Sequence, residues 1–359
     1  MSNQARLILL SGSGGSGTTT LADATVAAAR VEGLRAVGVD AGGCSVGDDT
    51  RRSLHALAGA LAAGLDADGV PVGIWTGLPT VRHLAAWDRI VQELARPDVD
   101  VVIVDCGSLR EAQVLAEFPT VVGRLLAAAL TPSMAMRSTS PTEPGETAGA
   151  GFDVVAGFVE RVLTFARLLE SRRTTMRLVT VPEAAPLERT LRAQAVFALL
   201  GIQVEAIIVN RFGRKSEGLG QDVVAEQRTQ LDRAEQGSAG AWVWKSTTSL
   251  RPVPKDRSVV GPLGGGGELR SGELEPRVED EAFSLTLPLV GAAAAEARVG
   301  RCRDDLVVEF AGVQRWLPLP AVLRRCRAVT ATRSSEGLVV SFVPDASLWR
   351  STPEPERAA

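Results

Sequence analysis

The sequence predicts an α/β protein: a mostly parallel sheet covered by helices, followed by a small antiparallel β-sandwich. Three observations carry this. Short apolar runs alternate with helical stretches through the first two thirds of the chain. A glycine–serine turn sits between the first such run and the first helix. After a glycine-rich break near residue 263, the period shortens to that of alternating strands.

Taken in order, Arg6–Leu10 reads as a buried strand and Ser11–Gly17 as a tight turn. Thr18–Arg30 carries Ala, Leu and Val at helical density. Ala36–Val39, closed by Asp40, and Val99–Val104, closed by Asp105, are further short apolar strands, as are Leu178–Val181 and Ala206–Val209. Leu187–Leu200 reads as a helix between the last two. Continuous apolar strands separated by helices indicate a parallel sheet buried on both faces. Ligands of such sheets bind at the carboxyl ends of the strands, which here are Asp40, Asp105, Pro182–Glu183 and Asn210. Thr131–Gly151, rich in Pro, Ser, Thr and Gly, reads as a flexible loop. In the helix expected next, Phe152, Val155, Val159, Val162, Ala166 and Leu169 form an apolar stripe, best read as covering the sheet.

The expected domains are therefore 1–262, a linker over 263–280, a sandwich over 281–350 and a polar tail, 351–359, read as disordered. Phe283–Leu287, Leu306–Phe310, Val313–Leu317, Ala328–Arg333 and Leu338–Val343 read as the sandwich strands, with turns between them.

A chain of 359 residues fits two domains better than one core. A hydrophobic share of 45% excludes a disordered protein, and a formal net charge of −3 gives no general basic bias toward nucleic acid. Cys44, Cys106, Cys302 and Cys326 form no C-x-x-C pair, and neither His55 nor His83 stands at a ligand spacing from them, so no zinc site is expected. Dispersed cysteines, no cationic leader and no apolar run long enough to span a bilayer point to a cytoplasmic protein. The only lysines are Lys215, Lys245 and Lys255, so no site in the first two hundred residues can use one of its own.

The turn Gly12-Ser13-Gly14-Gly15-Ser16-Gly17-Thr18-Thr19 admits three readings. Between a strand and a helix it has the form of a phosphate-binding P-loop, with Gly12, Gly17 and Thr19 in place and Thr18 where the lysine belongs. Gly12, Gly14 and Gly17 also satisfy G-x-G-x-x-G, with Asp40 at the next strand end as the acid of a dinucleotide (NAD) site. A ligand-free βα turn would look the same.

Beyond the loop, the chain resembles the ArsA family of arsenite-pump and tail-anchored-protein targeting ATPases. Gly12, Gly14, Gly15, Gly17 and Thr19 match its deviant Walker A motif, with Ser13 at the signature lysine and Thr18 at the P-loop lysine. Asp40-Ala41-Gly42-Gly43 partly matches its second strand end, and Val101–Asp105 resembles its Walker B strand. Leu178–Glu183 and Ile207-Ile208-Val209-Asn210-Arg211 resemble its V-T-x-P-E and I-V-N-R segments. Phe283–Pro288, Asp305–Val308, Arg315–Pro320 and Gly337–Phe342 resemble the α-crystallin-like, small heat-shock-type domain that ends some bacterial ArsA-like proteins.

The resemblance implies ATP and Mg²⁺ as cofactors. Nucleotide would be held by Gly12 to Thr19 (Ser13, Ser16 and Thr18 included), Asp40, Pro182, Glu183 and Asn210, with Asn210 reading the adenine. Mg²⁺ would be held by Thr19 and, through water, Asp105. It implies Asp48 or Asp49 as the switch I aspartate, a homodimer or a heterodimer with an intact ArsA-like ATPase, and a protein client. The client-binding insertion would fall between Leu109 and Arg177, where this chain is shortened. The family's switch II signature after the Walker B aspartate is mostly replaced by Cys106-Gly107-Ser108-Leu109. A loop without its two lysines lacks the cations that offset developing phosphate charge, so the expectation is binding with weak or absent hydrolysis. Three alternatives stand beside it: an active ATPase using another cation, an NAD-binding protein, and a nucleotide-free chaperone-like scaffold.

Overall fold

The computed structural model describes residues 5–44, 81–137, 146–213, 220–247, 276–279, 282–289, 296–334 and 337–345. Asp48, Asp49, most of the linker and the tail lie outside them. The described chain divides into two units. Unit 1 comprises Met1–Thr190 and Gly201–Leu269; unit 2 comprises Leu191–Leu200 and Arg270–Ala359.

Unit 1 holds one sheet of six strands: β1 (Arg6–Gly12), β2 (Ala36–Asp40), β3 (Val101–Ser108), β4 (Thr174–Thr180), β5 (Gln203–Val209) and β6 (Trp242–Lys245). Their order is β2-β3-β1-β4-β5-β6, and every pairing is parallel. The central strand β1 is buried from Leu7 to Gly12, as continuous apolar strands of a doubly covered sheet must be.

Helix α1 (Thr18–Val31) covers one face. Its Leu21, Ala24 and Ala28 pack with Ile8, Leu10, Ile103 and Val179. Helices α2 (Val81–Leu94), α3 (Leu109–Arg137) and α4 (Glu146–Glu170) also lie against the sheet. Trp87 of α2 joins these three: its ring stacks on Phe165 of α4 at 5.2 Å, and its indole N–H donates to the Leu115 carbonyl of α3 at 3.0 Å. Helix α5 (Ala184–Leu199) follows β4, and α6 (Gln221–Gly237) packs on β6.

An irregularity lies between β4 and β5. The β4–β5 register shifts between Met176 and Arg177, leaving Glu205 as an extra residue between Val204 and Ala206. The bulge places Glu205 beside Arg177, at 2.5 Å, and beside Arg6 of β1. Arg177 is 1% exposed, and a buried guanidinium is stable only when paired in this way.

The flexible loop expected over 131–151 is a correction. Helix α3 runs on to Arg137 and α4 begins at Glu146, leaving only 138–145 outside the described residues. Ala and Met are strong helix formers, and here they carry the helix past Pro132 despite the backbone hydrogen bond that proline removes. The α4 stripe is also turned relative to expectation: Phe158, Val162, Phe165 and Leu169 are the buried positions.

Unit 2 contains two antiparallel sheets. One is β11-β10-β9, from β9 (Arg298–Cys302), β10 (Asp305–Phe310) and β11 (Val313–Pro318). The other is β12-β13-β8-β7, from β7 (Arg277–Glu279), β8 (Ala282–Leu287), β12 (Cys326–Arg333) and β13 (Leu338–Pro344). A single turn of helix, α7 (Ala321–Arg324), precedes β12. Strand β7 corrects the linker expected to reach residue 280: Arg277–Glu279 pairs with β8. Leu285, Leu306, Val308, Phe310, Val340 and Phe342 belong to one core.

Candidate nucleotide site

The strand order separates two readings of the glycine turn. In a dinucleotide fold the strand bearing the ribose-binding acid lies directly beside β1. Here β3 lies between β1 and β2. At about 4.8 Å per strand, Asp40 stands nearly 10 Å across the sheet from β1. Its exposed carboxylate is also used locally. It accepts the Gly42 N–H at 2.9 Å, and a side chain at Gly43 would come within 2.8 Å of it.

The neighbour of β1 is instead β3, with Leu10 opposite Asp105 and a register shift just beyond, between Leu10 and Gly12. The glycine turn and the aspartate-bearing strand end are therefore adjacent, as a phosphate and metal site requires.

The turn itself is tightly built. Gly15 and Gly17 have φ of 74° and 89°, which only glycine adopts without strain. The Ser13 N–H donates to the Val179 carbonyl of β4 at 3.1 Å, and the Ser16 N–H to the Ser13 carbonyl at 2.9 Å. The Ser16 and Thr18 hydroxyls lie 3.2 Å apart over Gly12, where a Cβ would meet both, and the Val179 carbonyl, within 2.6 Å. Gly17 caps α1 with no side-chain hydrogen bond, and the first turn of α1 carries no acidic residue. Ser13 is 5% exposed, and its hydroxyl has no hydrogen-bond partner. Gly14, Gly15 and Thr19 are exposed.

Asn210 closes the turn from the other side. It follows β5, its N–H donates to the Thr180 carbonyl at 2.8 Å, and its side-chain amide donates to the Ser16 carbonyl at 2.7 Å. A side chain at Gly17 would come within 2.6 Å of that amide nitrogen. In this structure Asn210 thus braces the loop. Pro182 is buried at the end of β4, and exposed Glu183 accepts the Leu187 N–H through its carbonyl at the start of α5.

The end of β3 is closed with help from Ser11 and Glu111, to which the sequence pattern had assigned no role. Asp105, 8% exposed, accepts the Gly107 N–H at 2.9 Å. Ser11 of β1 donates to the Gly107 carbonyl at 3.2 Å. The strand then runs directly into α3 through a capping box. Ser108 donates its N–H and its hydroxyl to the Glu111 carboxylate, both at 3.0 Å, and the Glu111 N–H donates back to the Ser108 hydroxyl at 3.3 Å. Gly107, at φ 70°, leaves room for that carboxylate, which would lie 2.5 Å from a Cβ. The signal was present as Ser-x-x-Glu ahead of an apolar run.

The site thus assembles Gly12 to Thr19, Asp105, Pro182, Glu183 and Asn210 along one edge of the sheet. It offers an uncapped helix terminus and a buried unpartnered hydroxyl, which together suit a phosphate. Among the described residues the one lysine is Lys245, at the end of β6 with its Nζ 5.9 Å from the Phe212 ring centroid. Two strands, β4 and β5, lie between it and β1, three strand spacings or about 14 Å, too far for it to stand in for the loop lysine. Asp48 and Asp49, expected in switch I, lie outside the described residues.

Comparison with known proteins agrees with this architecture. Residues 60–233 match the anion-transporting ATPase (ArsA) family, and residues 280–342 match the HSP20-like domain found in ArsA. The first span includes Asp105, Pro182, Glu183 and Asn210, and begins after the glycine turn. The chain is similar to an uncharacterized protein of Streptomyces coelicolor, SCO2128, at 26% identity, covering 96% of this chain and 99% of that protein. It is also similar to Protein Rv2184c of Mycobacterium tuberculosis, at 27% identity over 76% of this chain and 68% of that protein. No helix among the described residues is long and apolar enough to cross a membrane. A parallel sheet with an aspartate-bearing strand beside its glycine turn and an antiparallel sandwich, matched in that order, identify an ArsA-family ATPase domain over residues 60–233 followed by the HSP20-like domain found in ArsA over residues 280–342.

Proposed function

We propose that this protein binds ATP with Mg²⁺ at the glycine turn and hydrolyses it weakly or not at all, acting as a regulatory or partner subunit. The observation that carries the reading is the difference between two helix starts on adjacent strands. The N-terminus of α1 is left open above Ser13, whereas that of α3 is filled by the protein's own Glu111. The first suits phosphate; the second occupies the place where the family's switch II would respond to it. Gly12 to Thr19 would hold the phosphates, Asn210 the base side, and Thr19 with Asp105 the metal. Bound Mg²⁺ would offset phosphate charge that no loop lysine offsets here. Asp40, given its turn, is a peripheral contact. The partner would be a second copy of this chain or an intact ArsA-like ATPase.

Calorimetric titration with ATP-Mg and with NAD tests this directly. ATP-Mg is expected to bind and NAD is not. NAD binding without ATP-Mg binding would overturn the reading, and binding of neither would leave a nucleotide-free scaffold. Substituting Ser13→Lys and Thr18→Lys together is expected to tighten ATP-Mg binding by roughly 10- to 150-fold, the worth of a charge-assisted hydrogen bond, while turnover stays at background. Steady turnover by the unaltered protein that Asp105→Ala abolishes would instead establish an active ATPase with another cation.

A further inference from the structure

The last turns of α5 belong to the sandwich. Ala195, Val196 and Leu199 share a core with Leu285, Leu306 and Phe310, and Leu200 packs against it. Positions 195, 196, 199 and 200 form one face of a helix. A sandwich ordinarily fills its interior with side chains from its own two sheets; here a helix from about a hundred residues earlier supplies part of it.

Polar contacts grip the same segment at both ends. The Arg192 guanidinium lies 5.2 Å from the Phe310 ring centroid and pairs with Glu296 at 2.7 Å. At the other end, Arg315 of β11 donates to the Leu199 carbonyl, where the last turn of a helix leaves acceptors open and a partial negative charge. An apolar face, an aromatic ring and carboxylate for a leading arginine, and a guanidinium for the trailing carbonyls are together the parts of a helix-in-groove site.

We propose that the sandwich carries a binding site for an amphipathic helix, and that residues 191–200 are its resident ligand. The ligand class is a helix with paired apolar positions one turn apart, an arginine a turn ahead of them and a free carbonyl end. This assignment does not depend on nucleotide binding.

The test uses the full chain. Val196→Asp places a carboxylate in the apolar face and weakens the resident helix's hold. Hydrogen exchange is followed by mass spectrometry at β10 and β13, with β1 and β3 as the internal control. Exchange at β10 and β13 is expected to rise at least tenfold in the variant and to return to the unaltered rate when a peptide of residues 187–202 is added. A labelled copy of the peptide is expected to bind the variant and not the unaltered protein, whose site is filled. Unchanged exchange in the variant would overturn the proposal. So would exchange that stays raised at saturating peptide, since the segment would then be fixed core rather than a ligand. Should Val196→Asp fail to fold, Arg192→Ala removes the segment's leading polar grip, leaves the apolar face and the groove, and is read by the same two outcomes.

Discussion

Strands β1 and β3 are neighbours, run the same way and each feed a helix, yet their junctions differ. After β1 the chain makes a glycine turn and enters α1 with no side-chain cap. After β3 it enters α3 at once, with Ser108 and Glu111 satisfying each other. The four leading N–H groups of any helix need partners. At α3 the protein's own Ser108 and Glu111 satisfy part of that need, whereas at α1 no side chain does. Two helix starts on one sheet edge thus differ in capping, and the difference lies in a single carboxylate in the first turn.

The largest expected effect tests the open junction. Gly12→Ala would drive a methyl into the Val179 carbonyl as well as two hydroxyls. It is expected to cost about 1–3 kcal/mol of stability and to abolish ATP-Mg binding, read by thermal unfolding and titration; unchanged binding would break the comparison. Next, Glu111→Ala should lower stability by about 0.5–2 kcal/mol, as loss of a helix cap does, and make the β3–α3 junction more susceptible to proteolysis. A variant as stable as the parent would mean that the junction is not closed by Glu111. Asn210→Ala removes the bond to the Ser16 carbonyl. It should cost about 0.5–1.5 kcal/mol and weaken ATP-Mg binding, separating it from changes in the β3 junction, which should leave affinity alone.

The smallest effect is an expected absence of change. Burial, and secondarily the charge of Asp105, pushes the Cys106 thiol well above its ordinary pKa. A raised pKa means less thiolate at any given pH, so alkylation of Cys106 at pH 8 should be slow. If the closed junction stays closed, ATP-Mg will leave that rate unchanged; acceleration by nucleotide would show that β3 opens after all.

Much of this was legible in the sequence, for reasons that differ by element. The strand ends at Asp40, Asp105 and Asn210 were readable because fully buried parallel strands are uninterrupted apolar runs closed by a polar residue. The strand order was not, since local pattern carries no record of which strands pair. It was the order that removed Asp40 from a dinucleotide role. The capping box was readable as Ser108-x-x-Glu111, but it follows the strand without the turn that ordinarily separates a strand from a helix. Strand β9, Arg-Val-Gly-Arg-Cys, buries no residue fully, so its pattern carries little signal. The face of α5 at Ala195, Val196 and Leu199 was visible as helical periodicity, which says that a face is covered without saying by what. Pro132 marked a loop by composition, and the helix formers around it prevailed.

The shared core of the sandwich also sets an order of events during synthesis. The apolar face at Ala195, Val196 and Leu199 leaves the ribosome before any strand that covers it. Phe342, in the last strand, follows roughly 140 residues later, which at 5–20 residues per second is about 7–30 s. Once β6 (Trp242–Lys245) has emerged and the sheet can close, that apolar helix end is still uncovered. Nascent chains of this protein should accordingly be most vulnerable to aggregation, and most dependent on chaperones, after the sheet has folded and before the sandwich has been made.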